Sequence, residues 1–231
     1  MKSLFLIRSL ALGALCSALP LTASATAIFD NSANDLGTRF DPGTSEVGNE
    51  ILLAGSERYV TNFSFEYWGV NTAGGGTFAG SVDARVRFYQ NNGAPFNGYA
   101  TPGTSFYDSG WFSIGGPTPR NTLVFTPGAD GIPTEGLFVP VSTMTWTVQF
   151  RGLGATDQAG LDLYSPAIVG QSYSDYWEFS GGNWQLMTNS VAMDFAACFD
   201  ASLTAVPEPS SLALLGLGGL TLLAAARRGW R

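Results

Sequence analysis

The sequence predicts an all-β protein: a jelly-roll-like antiparallel β-sandwich, flanked by an N-terminal signal peptide and a C-terminal transmembrane helix. Three observations carry that expectation. Between the two ends, apolar and polar residues alternate with period two in one segment after another, as half-buried antiparallel strands require. Gly, Pro and Asn clusters punctuate these segments, and no window shows an apolar stripe of helical period. Both ends, by contrast, hold apolar runs bordered by basic residues.

The front end has the three parts of a secretory signal. Lys2 and Arg8 supply positive charge, Leu10 to Leu19 an apolar core, and Pro20 ends it. Ala25-Thr26-Ala27 has the A-x-A form read by signal peptidase, so residues 1–27 are assigned to the signal, with cleavage after Ala25 as the alternative. Leu15 before Cys16 argues against lipoprotein processing, which needs a small residue there. The exported domain then covers residues 28–205, a length that suits one domain with a proper core. It keeps six arginines and no lysine against seventeen carboxylates, a net charge of −11. Nucleic acid is a poor partner for such a chain, because its binding rests on clustered Lys and Arg. Cys198 remains alone in an alternating segment and reads as an inert core residue.

Strands are expected in order at Val47–Ala54, Arg58–Val70, Val82–Tyr89, Thr104–Ile114, Asn121–Phe125, Leu137–Val139, Met144–Gly152, Gly160–Tyr164, Tyr176–Phe179, Trp184–Met187 and Val191–Leu203. In the second, Tyr59, Thr61, Phe63, Phe65 and Tyr67 alternate with Val60, Asn62, Ser64 and Glu66. In the third, Val82, Ala84, Val86 and Phe88 share a face opposite Asp83, Arg85 and Arg87. Thr145, Thr147, Gln149 and Arg151 alternate with Trp146, Val148 and Phe150. Many short strands without helices favour a two-sheet jelly roll over an immunoglobulin-like sandwich. No internal repeat points to a propeller or β-helix.

Residues 206–231 have a physics of their own. Pro207-Glu208-Pro209 is stiff and non-helical, because each ring fixes φ and removes an N–H. Residues 210–226 carry no charge, and a helix of that length spans roughly 25 Å, the lower limit for a bilayer. Arg227, Arg228 and Arg231 mark the cytoplasmic side. This order resembles the PEP-CTERM sorting signal of Gram-negative bacteria. The resemblance implies that an exosortase recognises Pro207-Glu208-Pro209, cuts there, and releases or re-attaches the exported domain. The precursor would sit transiently in the inner membrane and its product at the cell surface or outside, in an exopolysaccharide or biofilm matrix. Gly48–Gly55, Trp146–Phe150, Ala159–Pro166 and Ser174–Trp177 are similar to exported domains of PEP-CTERM proteins, which supports the sandwich and adds no chemistry.

Histidine is absent from the chain, which removes Ser-His-Asp and Cys-His catalysis and the usual zinc sites. A glycosidase needs two carboxylates about 5 to 9 Å apart across a cleft, and no spacing singles out a pair. The expectation is a non-enzyme with no catalytic residue and no cofactor. One metal reading stands beside it: Asp30, Asn31, Asp35 and Asp194 are oxygen ligands of the kind calcium takes, although such clusters also make Asx-turns. One ligand reading does too: Tyr173, Tyr176, Trp177 and Trp184 offer rings for stacking on a polysaccharide, although aromatics dominate the burial of sandwich cores.

Overall fold

The computed structural model describes residues 24–206. The signal segment up to residue 23, the transmembrane run 210–226, Pro207-Glu208-Pro209 and the arginines Arg227, Arg228 and Arg231 lie outside the described residues. Within them the period-two segments become β1 (Thr26–Asp30), β2 (Asp35–Phe40), β3 (Glu46–Leu52), β4 (Tyr59–Asn71) and β5 (Asp83–Gln90). They continue with β6 (Ser105–Asp108), β7 (Phe112–Ser113), β8 (Thr118–Phe125), β9 (Leu137–Phe138) and β10 (Thr143–Arg151). The last are β11 (Asp157–Tyr164), β12 (Gln171–Ser172), β13 (Asp175–Ser180), β14 (Asn183–Thr188) and β15 (Ala197–Ser202). No helix occurs among the described residues.

These strands form two sheets in which every pairing is antiparallel. The first runs β1-β15-β4-β11-β2, with β8 and β9 also on β4. The second runs β14-β13-β3-β10-β5-β6, with β12 on β3 and β7 on β5. Alternation decides which face each side chain takes. Met144, Trp146, Val148 and Phe150 of β10 turn inward with Ala84, Val86 and Phe88 of β5, meeting Phe63, Phe65 and Tyr67 of β4 from the opposite sheet. Phe63 lies at the centre, its ring 4.6 Å from Phe199, 5.0 Å from Phe88, 5.4 Å from Phe125 and 5.6 Å from Trp146. The all-β sandwich expected from the alternation is the fold that forms.

Three local departures bear on function. A bulge where Asp200 pairs with Asn62 but Ala201 pairs with Val60 resets the alternation of β4. Val60 therefore faces the core with Phe63, and Tyr59 and Thr61 do not, because one extra residue reverses the side-chain direction. The long strand expected over Val191–Leu203 is regular only as β15. Its earlier residues cross between β4 and β11, where Ala196 N donates to Asp162 O at 3.1 Å and Glu66 N to Ala196 O at 3.2 Å. Two buried amides hold that crossing. Asn49 accepts from Phe195 N at 2.7 Å and donates to Met193 O at 2.8 Å, while Asn31 donates to Tyr164 O at 2.9 Å. Finally, Ala197, Phe199 and Ala201 take the core face of β15, so Cys198 is turned to the outer face and half-buried rather than in the core. Burial, with Asp200 and Asp30 nearby, pushes its thiol up to about 12, which leaves it protonated and unreactive.

Candidate functional site

The described residues begin and end close together in one sheet. β1 and β15 are antiparallel neighbours, so Thr26 pairs with Ala201 and Ala27 with Asp200. The start of the exported domain therefore lies beside its finish. Past β15 the chain remains attached: Val206 N donates to Glu135 O at 2.9 Å, one residue before Pro207. Leu203 and Phe138 flank this exit and are 63 % and 54 % exposed, with the Tyr59 ring 5.2 Å from that of Phe138. The described residues thus end at a folded edge.

The aromatic residues expected to stack on a sugar are divided by the geometry of β13. Adjacent strand residues point to opposite faces: Tyr176 enters the core, its ring 5.0 Å from Phe40, and Trp177 takes the outer face. Trp177 is only 1 % exposed, with the Phe96 ring 6.5 Å away. Tyr173 is exposed. Trp184 on β14 is half-buried, propped by Phe179 at 5.1 Å and Tyr89 at 5.6 Å. Tyr89 is itself fixed by a buried polar group: Glu46 accepts from Tyr89 at 3.0 Å and Thr147 at 2.6 Å and pairs with Arg87 at 2.7 Å. Trp184, Asn183 and Gln185 face Phe96 and Thr101 across a cleft of about 380 Å³.

The four residues expected to bind calcium have separate commitments. Asp30 accepts from Ser32 N and Oγ in an Asx-turn, at 2.9 and 2.7 Å. Asp35 pairs with Arg120, which holds its carboxyl below the usual range. Asn31 and Asp194 reach the crossing segment, and each leaves a buried Oδ1 without a donor. Burial raises the Asp194 carboxyl to about 6. No group of three or more His, Cys, Asp or Glu fit to hold a metal occurs among the described residues.

A second cleft, of about 470 Å³, opens on the outer face of the first sheet and is lined by Asp35, Thr38, Arg39, Arg120 and Asp162. Asp162 is 2 % exposed, with Arg39 Nε 3.5 Å from its Oδ1 and no partner for its Oδ2. Burial pushes its carboxyl above the usual range. Arg39 lies over the Trp68 ring at 5.5 Å, and Arg120 over Tyr164 at 5.5 Å. Glu66 accepts from Tyr164 at 2.7 Å and pairs with Arg120 at 3.3 Å. The sequence singles out only Asp35 here; the other residues come from distant strands, and the one signal of them is the scarcity of arginine.

Residues 205–228 match the family described as the PEP-CTERM protein-sorting motif. No curated protein and no solved structure matches the chain. No helix among the described residues is long and apolar enough to cross a membrane. The motif implies a membrane-anchored precursor, processed by an exosortase on its way to the surface or exterior. The chain thus carries a PEP-CTERM protein-sorting motif directly after an all-β sandwich.

Proposed function

We propose that the protein is a non-enzymatic component of the cell surface or of an exopolysaccharide matrix. A signal peptide delivers it, the charge-free run 210–226 anchors it in the inner membrane, and Pro207-Glu208-Pro209 hands it to the exosortase. The observation that carries this reading is the position of the matched motif: it begins at residue 205, where Val206 makes the last backbone bond to the sandwich. Exposed Leu203 and Phe138 suit a face held near the bilayer while the tail is in place. The absence of histidine and the unreactive Cys198 support the non-enzymatic part.

Fractionation of the native host, with wild type and Glu208→Ala compared, tests the proposal. Wild type is expected outside the inner membrane and the variant within it. Equal retention of both would make the tail a permanent anchor and end the sorting account.

A second reading is a carbohydrate-binding module of jelly-roll type. Trp184, held rigid beside a cleft with Asn183 and Gln185, has the ring and the amides that such binding uses.

A further inference from the structure

We infer that the cleft lined by β2, β8 and β11 on the outer face of the first sheet binds a neutral polyhydroxylated ligand, a sugar unit of a glycan chain. The inference goes beyond the carbohydrate-binding reading of the Trp184 cleft, since it places a sugar ligand on the opposite sheet.

The site is built around an unmet need. Asp162 is 2 % exposed, yet its Oδ2 has no donor, and Trp68 Nε1 on the neighbouring strand has no acceptor. Buried polar atoms of native proteins are nearly always paired, so two unpaired groups of opposite sense, Asp162 in the lining of an open cleft and Trp68 behind Arg39, call for a ligand that both gives and takes hydrogen bonds. A hydroxyl does both. Trp68 Nε1 lies over Gly160, 3.0 Å from where a Cβ would stand, and Asp162 follows two residues on along the same face of β11. Arg39 covers both groups from β2. Its Nε is 3.5 Å from Asp162 Oδ1, too long for a strong bond and open to a hydroxyl that accepts from the guanidinium and donates to the carboxylate. Half-exposed Arg39, whose guanidinium also donates to Pro119 O, is the side chain that must turn aside to admit the ligand. Arg120, held by Asp35 and Glu66, offers a second guanidinium across the cleft.

Charge narrows the class. Two arginines, Arg39 and Arg120, face two carboxylates, Asp35 and Asp162, in the lining, so the cleft is balanced in charge. A phosphate or carboxylate would meet those two acids, and a metal cation would meet the arginines. A neutral ligand rich in hydroxyls gains from both signs at once. At about 470 Å³ the cleft falls within the ordinary range for small ligands, roughly 300–1,000 Å³.

The test is calorimetric titration of the full-length chain, in a detergent without sugar headgroups, with dextran, galactomannan and xyloglucan. Arg39→Ala, Asp162→Asn and Trp184→Ala are compared with wild type, and circular dichroism confirms folding. The expected result is wild-type binding to at least one polysaccharide. Affinity should fall at least tenfold in Arg39→Ala and Asp162→Asn, with Trp184→Ala unchanged. Should Asp162→Asn misfold, half-exposed Arg39 decides alone. Loss in Trp184→Ala with full affinity in Arg39→Ala would overturn the inference and keep the carbohydrate reading on the other sheet. Binding to none of the three would overturn both.

Discussion

Asp194→Asn should make the protein more stable at alkaline pH and leave it unchanged in acid. Asp194 is 2 % exposed, and burial raises its carboxyl from the ordinary 3.8 to about 6. Below pH 4 the group is neutral in folded and unfolded chains alike, and its burial costs nothing electrostatic. Between pH 4 and 6 the unfolded chain releases the proton while the folded chain keeps it, so stability falls as pH rises. Above pH 6 a charge is buried and the full cost stands. At 1.36 kcal/mol for each tenfold change in proton affinity, the difference from 3.8 to about 6 comes to about 3 kcal/mol. Asn has nearly the same shape and never ionises. Its gain at pH 8 is expected at about 1–3 kcal/mol, because the amide NH2 brings buried donors that must find acceptors. For a domain of this size each kcal/mol moves the melting temperature by about 2–4 °C. Thermal melts followed by circular dichroism from pH 4 to 8 read the gap between variant and wild type directly. The gap should open from nothing near pH 4 to several degrees at pH 8. A gap independent of pH, or a variant that melts lower at pH 8, would refute the reasoning. Asp175, Glu50 and Asp162 are raised by burial too, and comparison of the two proteins largely cancels them.

Other outcomes follow from the same structure. Phe63→Ala empties the meeting point of four rings and should cost about 3–5 kcal/mol, read as a loss of melting temperature; a cost below 1 kcal/mol would contradict the core described. Arg87→Met leaves Glu46 buried and unpaired and should destabilise by about 3–5 kcal/mol. Much of that should return in the double variant with Glu46→Gln, and no recovery would contradict the pairing. Calcium and a chelator should give the same melting temperature, since Asp30 and Asp35 are committed to a turn and an arginine; a chelator-sensitive melt would restore the metal reading. Amino-terminal sequencing of the exported product decides between the expected cleavage after Ala27 and the alternative after Ala25: a start at Thr26 keeps the Thr26 and Ala27 pairings with β15, and a start at Ile28 removes them.

The parts legible in the sequence are those where one physical signal acts alone. β5 and β10 alternate cleanly because one face is apolar and packed in the core while the other is polar, and they form where expected, with Thr145 and Thr147 on the polar face of β10 buried as well. β1 was hidden because its first residues overlap the A-x-A segment, so a targeting signal masked a strand. β2, Asp35-Leu-Gly-Thr-Arg-Phe40, has little apolar alternation, since most of it is exposed at a sheet edge, and it reads as a loop. The reversed alternation in β4 and the shortened β15 come from a bulge and a crossing, which depend on neighbouring strands. The second cleft joins Arg39, Arg120 and Asp162, residues separated by dozens of positions, and only the sheet order β4-β11-β2 brings them together. Tyr176 and Trp177 show the limit of composition: adjacent aromatic residues on a strand cannot both share one face. The sorting motif, a local linear signal that requires no fold, was fully legible.

The central claim is that the tail is a temporary anchor cut beside the fold. Intact-mass measurement of the protein recovered outside the inner membrane of its native host tests it most directly. The account predicts a chain that ends near Val206, without the apolar run and without Arg227, Arg228 and Arg231. A mass that includes every residue to Arg231 would contradict it.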